Sequence, residues 1–165
     1  MRRALRTPLL AILALGLAAC GGGSSTPGEL NGTRVDPPFE VARGIELVSE
    51  DGPFVLEDDT DKPLTLMFFG YSNCPDICGQ VMATRAGTMK RLSDADRERV
   101  DVVVISTDPA RDTPEVMGDY VAAYDPSFTG VTGDLEDIVD LGLSVGVGIE
   151  QGEKMPSGGY EVTHG

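Results

Sequence analysis

Tryptophan is absent from this 165-residue chain, histidine occurs once and cysteine three times. Aromatic residues make up 5% of it, and 13 lysines and arginines stand against 27 aspartates and glutamates, a formal charge of −14. The shortage of basic side chains argues against nucleic acid as a ligand, because phosphate backbones select basic surfaces. There is no internal repeat, and no second long apolar run follows Leu17. What is present is ordinary for one globular domain: 41% hydrophobic and 24% charged residues, enough for a single core and at most a short appendage.

The first twenty residues, MRRALRTPLLAILALGLAAC, read as an export signal. Arg2, Arg3 and Arg6 form a positive n-region, and the apolar stretch Leu9 to Leu17 is too short to span a bilayer comfortably. Leu17-Ala18-Ala19-Cys20 resembles the bacterial lipobox, so Cys20 is expected to carry the lipid. A plain cleavable signal and a single N-terminal anchor are the alternatives. Loss of residues 1–19 removes three arginines and takes the formal charge from −14 to −17. Such acidity keeps a protein soluble and could attract a cationic partner patch, although a solvated acidic surface explains it as simply. Residues 20–38, rich in Gly, Ser, Thr and Pro, read as a flexible tether, and the folded part is expected over 39–165.

In that part, 39–48 and 53–58 are expected as strands joined at Asp51-Gly52. LTLMFFGY (64–71) is continuously apolar, as in a strand buried on both faces. Residues 78–92 are expected to be helical, with Val81, Met82, Met89 and Leu92 at core positions, and VDVVVIST (100–107) is a second central strand. Thr113, Pro114 and Glu115 form an N-cap, an N1 proline and a dipole-matched acid for a helix reaching Tyr124. A short strand or extended loop over 127–133, an Asp134-capped helix to Ser144, and strands at 146–150 and 160–163 complete the order. Alternation after Leu64 calls for an α/β fold with a mostly parallel sheet flanked by helices. Ligands of such sheets sit at the carboxyl ends of the strands, and Cys74, Asp108 and the DPARDTP loop all lie just past such ends.

Cys74 and Cys78 are four residues apart. Pro75 suits a first helical position, which puts Cys74 at or just before the N-cap, where N–H groups and the helix dipole stabilise a thiolate. Cys78 faces the same way one turn on, so the sulfurs could bridge to each other or grip one soft metal ion. A purely structural disulfide is the plain alternative, but closing so short a loop removes little unfolded-state entropy. With Cys20 lipidated these are the remaining thiols, and His164 is the one histidine. Two thiolates and an imidazole suit Cu(I); Cu(II) or Zn(II) would fit with an added oxygen ligand, and spacing does not choose among them.

FFGYSNCPDIC, STDPARDTPEVMGDYVAAYDPSFTGVTG and YEVTHG together resemble the Sco/SenC family of thioredoxin-fold proteins that serve copper delivery to cytochrome c oxidase. The resemblance spans about residues 30–165. It implies a thioredoxin-like fold, copper held by Cys74, Cys78 and His164, and Asp108 close to that site. It also implies Arg111 and Asp112 shaping their loop by a local ion pair or cap. The implied partners are the CuA subunit of cytochrome c oxidase or another copper chaperone, at the extracytoplasmic (periplasmic) side of a membrane in the cell envelope. Gly79 stands where the motif usually carries a proline and is expected to loosen the helix without removing a ligand. Relatives continue past the histidine with a strand, a turn and a closing helix, so a C-terminal strand and helix are expected to be missing, leaving His164 loosely held. The loop 150–159 is expected to be flexible and to let the site open.

Two functions compete. One is a metallochaperone that binds and transfers copper without turnover. The other is a thiol–disulfide oxidoreductase acting on the CuA cysteines or in redox signalling, with Cys74 as nucleophile and Cys78 as resolving thiol. Peroxide removal fits the motif poorly, because thioredoxin-fold peroxidases place a threonine or serine before their reactive cysteine.

Overall fold

The computed structural model describes residues 32–156 and the strand at 160–164; the expected export signal and Cys20 lie outside the described residues. Contacts divide the chain into residues 1–35 and 36–165, and every element lies in the second unit. Among the described residues no helix is long and apolar enough to cross a membrane.

Two long apolar strands organise the unit. β3 (Leu64–Gly70) and β4 (Val100–Ser106) pair in parallel through seven residue pairs, from Leu64 opposite Val100 to Gly70 opposite Ser106. β5 (Thr129–Thr132) adds to the other side of β4, also parallel. β1 (Glu46–Ser49) and β2 (Gly52–Val55) form a hairpin, and β1 joins β5 antiparallel, which gives the order β2-β1-β5-β4-β3. The sheet is therefore mixed, and its parallel character is confined to β3, β4 and β5.

Alternation along β4 sends its side chains into two cores. Val103 and Ile105 join Leu47, Phe69, Tyr71, Val131, Ile138 and Leu141 on one face. Val102 and Val104 join Met82, Met89, Met117 and Val121 on the other. Helix α5 (Leu135–Ser144) covers the first face, while α2 (Cys78–Met89) and α4 (Pro114–Ala122) cover the second. Each fully buried aliphatic side chain contributes roughly 1.5–3 kcal/mol, so β4 is the main hydrophobic investment of the fold. β3 is less enclosed than its composition suggests: Phe69 is buried but Leu64 is half exposed. Among the described residues β3 is an edge of the sheet, paired with β4.

Several local expectations hold. Thr113 caps α4 by accepting the Val116 N–H, with Pro114 at the start. Met82 and Met89 are buried, whereas Val81 and Leu92 are only partly so. Others need correction. Residues 39–45 are irregular; the Ala42 N–H donates to Ser144 Oγ, which ties this segment to the end of α5 instead of to a neighbouring strand. The expected strand over 53–58 stops at Val55, and a single turn, α1 (Leu56–Asp59), follows, closed by the Val55 N–H donating to Asp59. A further turn, α3 (Asp94–Arg97), is capped by Ser93. Asp134 stands at the N-cap of α5 without a side-chain cap bond. Finally, β6 (Ile149–Lys154) and β7 (Tyr160–His164) form a separate antiparallel hairpin. Half of the expected 150–159 loop is thus strand; its polar residues, exposed from Glu150 to Lys154, carry no apolar alternation that would have revealed it.

Helix α4 lies close on β5 because position 130 is glycine: a Cβ there would sit 2.5 Å from the Met117 carbonyl oxygen. Gly130→Ala is expected to lower stability by about 1–3 kcal/mol, the usual cost of overpacking a core. Urea unfolding should show a lower midpoint at an unchanged slope; a parental midpoint would contradict this close approach.

Candidate metal centre

The loop between β3 and α2 carries the thiols. Gly70 ends β3, and a Cβ on it would meet the Phe68 ring at 2.8 Å and Cys78 Sγ at 3.3 Å, so the glycine makes room for that sulfur against the strand end. The Cys74 N–H donates to the Tyr71 carbonyl at 3.3 Å, turning the chain. Helix α2 begins at Cys78, the first residue of the expected 78–92 segment, and ends at Met89; Pro75 stands in a bend before it and not at the first helical position. Gly79 is the second residue of that helix.

Cys74 is partly exposed, Cys78 is 1% exposed, and both are free thiols. Partial burial works against ionisation of Cys74, but hydrogen bonds from the Cys78 thiol, the backbone at Asp76 and Cys78, and Tyr71 outweigh it and hold its pKa below the ordinary value. This is the thiolate stabilisation expected of a helix start, supplied by the bend and the first turn together. Burial, followed by hydrogen bonding to Cys74, pushes the Cys78 thiol up to about 12. The pair therefore loses its first proton from the exposed side. Tyr71, 4% exposed, is held above the ordinary phenol value by burial and then by the two neighbouring thiols.

Asp108 follows β4 and is 1% exposed. It pairs with Arg111, whose guanidinium carbon lies 5.8 Å from the centre of the Tyr71 ring. Asp108 is thereby linked towards the thiols through Arg111 and Tyr71, while its Oδ1 is buried and accepts no hydrogen bond among the described residues. The expected local ion pair of Arg111 is present. Asp112 does something different: it accepts hydrogen bonds from the Ser72 N–H at 3.1 Å, from the Ser72 hydroxyl and from Ser106 Oγ at 2.6 Å. Tyr71, Ser72 and Ser106 were not singled out from the sequence. The signal available for them was the need of a buried carboxylate for donors.

His164 is placed by its backbone alone, since its side chain lies outside the described residues. It pairs with Ile149 across the β6–β7 hairpin. Ile149 is 7% exposed and belongs to the same hydrophobic cluster as Tyr71, and Cys74 packs against that cluster. Ile149 packs against Gly142 of α5, so the hairpin is anchored on that helix and the core beneath it. Among the described residues, no group of three or more His, Cys, Asp or Glu side chains is gathered to hold a metal ion. The described part supplies two soft donors, and two thiolates suit a soft ion such as Cu(I).

A mixed sheet with helices on both faces and a dithiol just past the carboxyl end of β3 is the arrangement of a thioredoxin-like protein. The family model for SCO1/SenC matches residues 33–165, and the chain belongs to that family. It is 35% identical over 108 residues to the mitochondrial protein SCO2 of Saccharomyces cerevisiae, covering 60% of this chain and 36% of that relative. The chain thus spans well under two thirds of this curated relative's length. The solution structure of apo Sco1 from Thermus thermophilus superposes with a TM-score of 0.68 at 35% identity, covering 81% of this chain and 76% of the other. The crystal structure of copper-bound ScoI from Arabidopsis thaliana gives a TM-score of 0.63 at 31% identity, with coverage of 72% and 73%.

The asymmetry of the two thiols has a direct readout. In the full chain carrying Cys20→Ser, iodoacetamide should label Cys74 with a rate that rises through a pKa below that of an ordinary cysteine, while Cys78 stays unlabelled up to pH 10. The sign follows from the two shifts: lowering at Cys74 raises its thiolate fraction at neutral pH, and raising at Cys78 abolishes it. Equal labelling of both thiols by mass spectrometry would contradict the arrangement.

Proposed function

We propose that this protein is a copper metallochaperone of the cell envelope, binding copper through Cys74, Cys78 and His164 and delivering it to the CuA site of cytochrome c oxidase. The observation that carries this reading is the pair of free, hydrogen-bonded thiols Cys74 and Cys78 past the carboxyl end of β3. Copper is here a cargo. Two thiolates supply the soft donors that favour Cu(I), and an imidazole completes a three-coordinate set. Cys78 is buried and is the fixed arm. Cys74 is partly exposed and readily ionised, so it is the arm a partner's thiol can displace in stepwise ligand exchange. Residues 1–19 act as the export signal, Cys20 carries the lipid, and residues 20–38 tether the domain 39–165 to the membrane on its extracytoplasmic side. Copper-bound structures of family members at 27–31% identity support the choice of metal.

The same asymmetry favours a second reading, a thiol–disulfide oxidoreductase. The Cys74 thiolate would attack a target disulfide and release one target thiolate. Cys78 would then displace the second, leaving a Cys74–Cys78 disulfide and a reduced target dithiol.

The two readings separate in one set of measurements. Anaerobic Cu(I) titration of the reduced full chain with Cys20→Ser, against a competing chelator, is expected to give one equivalent bound. Cys74→Ala and Cys78→Ala should each abolish competitive binding, and His164→Ala should weaken it sharply. Absence of competitive binding, together with disulfide exchange from Cys74 to an oxidised CuA-domain peptide, would replace the chaperone reading with the redox one.

A further inference from the structure

We propose that Asp112 is a positioning residue for the metal-binding thiols: through Ser72 it fixes the loop that carries Cys74 against the buried end of β4. The inference rests on the chaperone reading only for the word metal; the geometry concerns the thiols themselves. Asp112 is 1% exposed, and its carboxylate is shared between two strand ends. Oδ2 accepts the Ser72 N–H at 3.1 Å and the Ser106 hydroxyl at 2.6 Å, and Oδ1 accepts the Ser72 hydroxyl. Ser106 Oγ in turn accepts the Asp108 N–H at 3.0 Å, and the Asp112 N–H donates to the Asp108 carbonyl at 3.0 Å. One carboxylate therefore organises both the cysteine loop and the loop that bears Asp108 and Arg111.

The contact spans forty positions of sequence and is not the local cap expected of this residue. Ser72 lies two residues before Cys74, and its hydroxyl also accepts from Asn73 Nδ2 at 3.0 Å. Among the described residues, the backbone bond that closes this turn, from Cys74 to Tyr71, is internal to the loop. The bonds that tie the loop to the far side of the sheet end run from Ser72 to Asp112. A buried carboxylate is tolerated only while its acceptors are used, so the three donors and the acid hold one another in a single arrangement. That arrangement limits how far Cys74 can move from Cys78. A preorganised pair favours any product that needs both sulfurs together, whether a shared metal ion or a disulfide.

Asp112→Asn is the direct test, but an amide nitrogen facing the Ser72 N–H could prevent folding. Ser72→Ala leaves the carboxylate in place, and Ser72→Thr restores the hydroxyl. Each is made in the full chain with Cys20→Ser, and the deciding readout is the reduction potential of the Cys74–Cys78 pair against glutathione. Ser72→Ala should make the disulfide about tenfold less favourable, which is about 30 mV more positive for this two-electron couple. Ser72→Thr should return the parental value. Cu(I) affinity should fall in parallel by about tenfold, the low end for outer contacts to a metal ligand. If the parent binds no Cu(I), the chaperone reading fails while the potential still decides the positioning role. A parental potential in Ser72→Ala would overturn the inference, whatever its melting temperature.

Discussion

The parallel pairing of β3 with β4 is the constraint on which the rest of the structure depends. Its seven-pair register places Gly70 opposite Ser106, so the chain leaves both strands at the same end of the sheet. The cysteine loop therefore starts beside the segment that carries Asp108, Arg111 and Asp112. A slip of one residue would exchange the two faces of β4 and set Val102 and Val104 against α5 instead of α2 and α4. Burial of β4 on both sides makes that slip expensive, and the position of the thiols inherits the precision of a hydrophobic register.

On this frame the polar groups divide the work between two arms. Gly70 lets Cys78 Sγ approach the strand end, which buries that thiol and raises its pKa. Cys74 sits between a turn and the bend before α2, partly open to solvent, where hydrogen bonds lower its pKa. One arm is held by the core and the other is accessible. A carrier that must hold its cargo and also yield it to another protein gains from such a division, and so does a dithiol that exchanges disulfides. The two proposed functions share this geometry. They differ in whether His164, the proposed third donor, takes part.

How much of this was legible in the sequence follows the strength of each local signal. The apolar runs 64–71 and 100–107 and the Thr113-Pro114-Glu115 start of α4 were readable, because hydrophobic continuity and capping chemistry act over a few residues. The family resemblance rested on the CPDIC and DPARDTP motifs and was matched by the family model. The start of α2 at Cys78 agrees with the expected segment, but Pro75 lies in the bend before it and not at the first helical position, because proline suits a bend equally well and the turn is closed by the Tyr71 carbonyl. The strand Ile149–Lys154 was read mostly as loop because its exposed residues follow no apolar alternation. The clamp of Asp112 on Ser72 was invisible, since it joins positions forty apart through a register that only the folded sheet defines. Asp112 looked like a cap because it precedes a helix, and only its burial shows the larger role.

The central claim is that both thiols and the imidazole of His164 hold one copper ion. X-ray absorption at the copper edge on the reduced, Cu(I)-loaded full chain with Cys20→Ser tests it most directly. The account predicts two sulfur scatterers and one nitrogen scatterer per copper, with the nitrogen lost in His164→Ala and the sulfurs retained. Two sulfurs without nitrogen, or a nitrogen that survives His164→Ala, would contradict it.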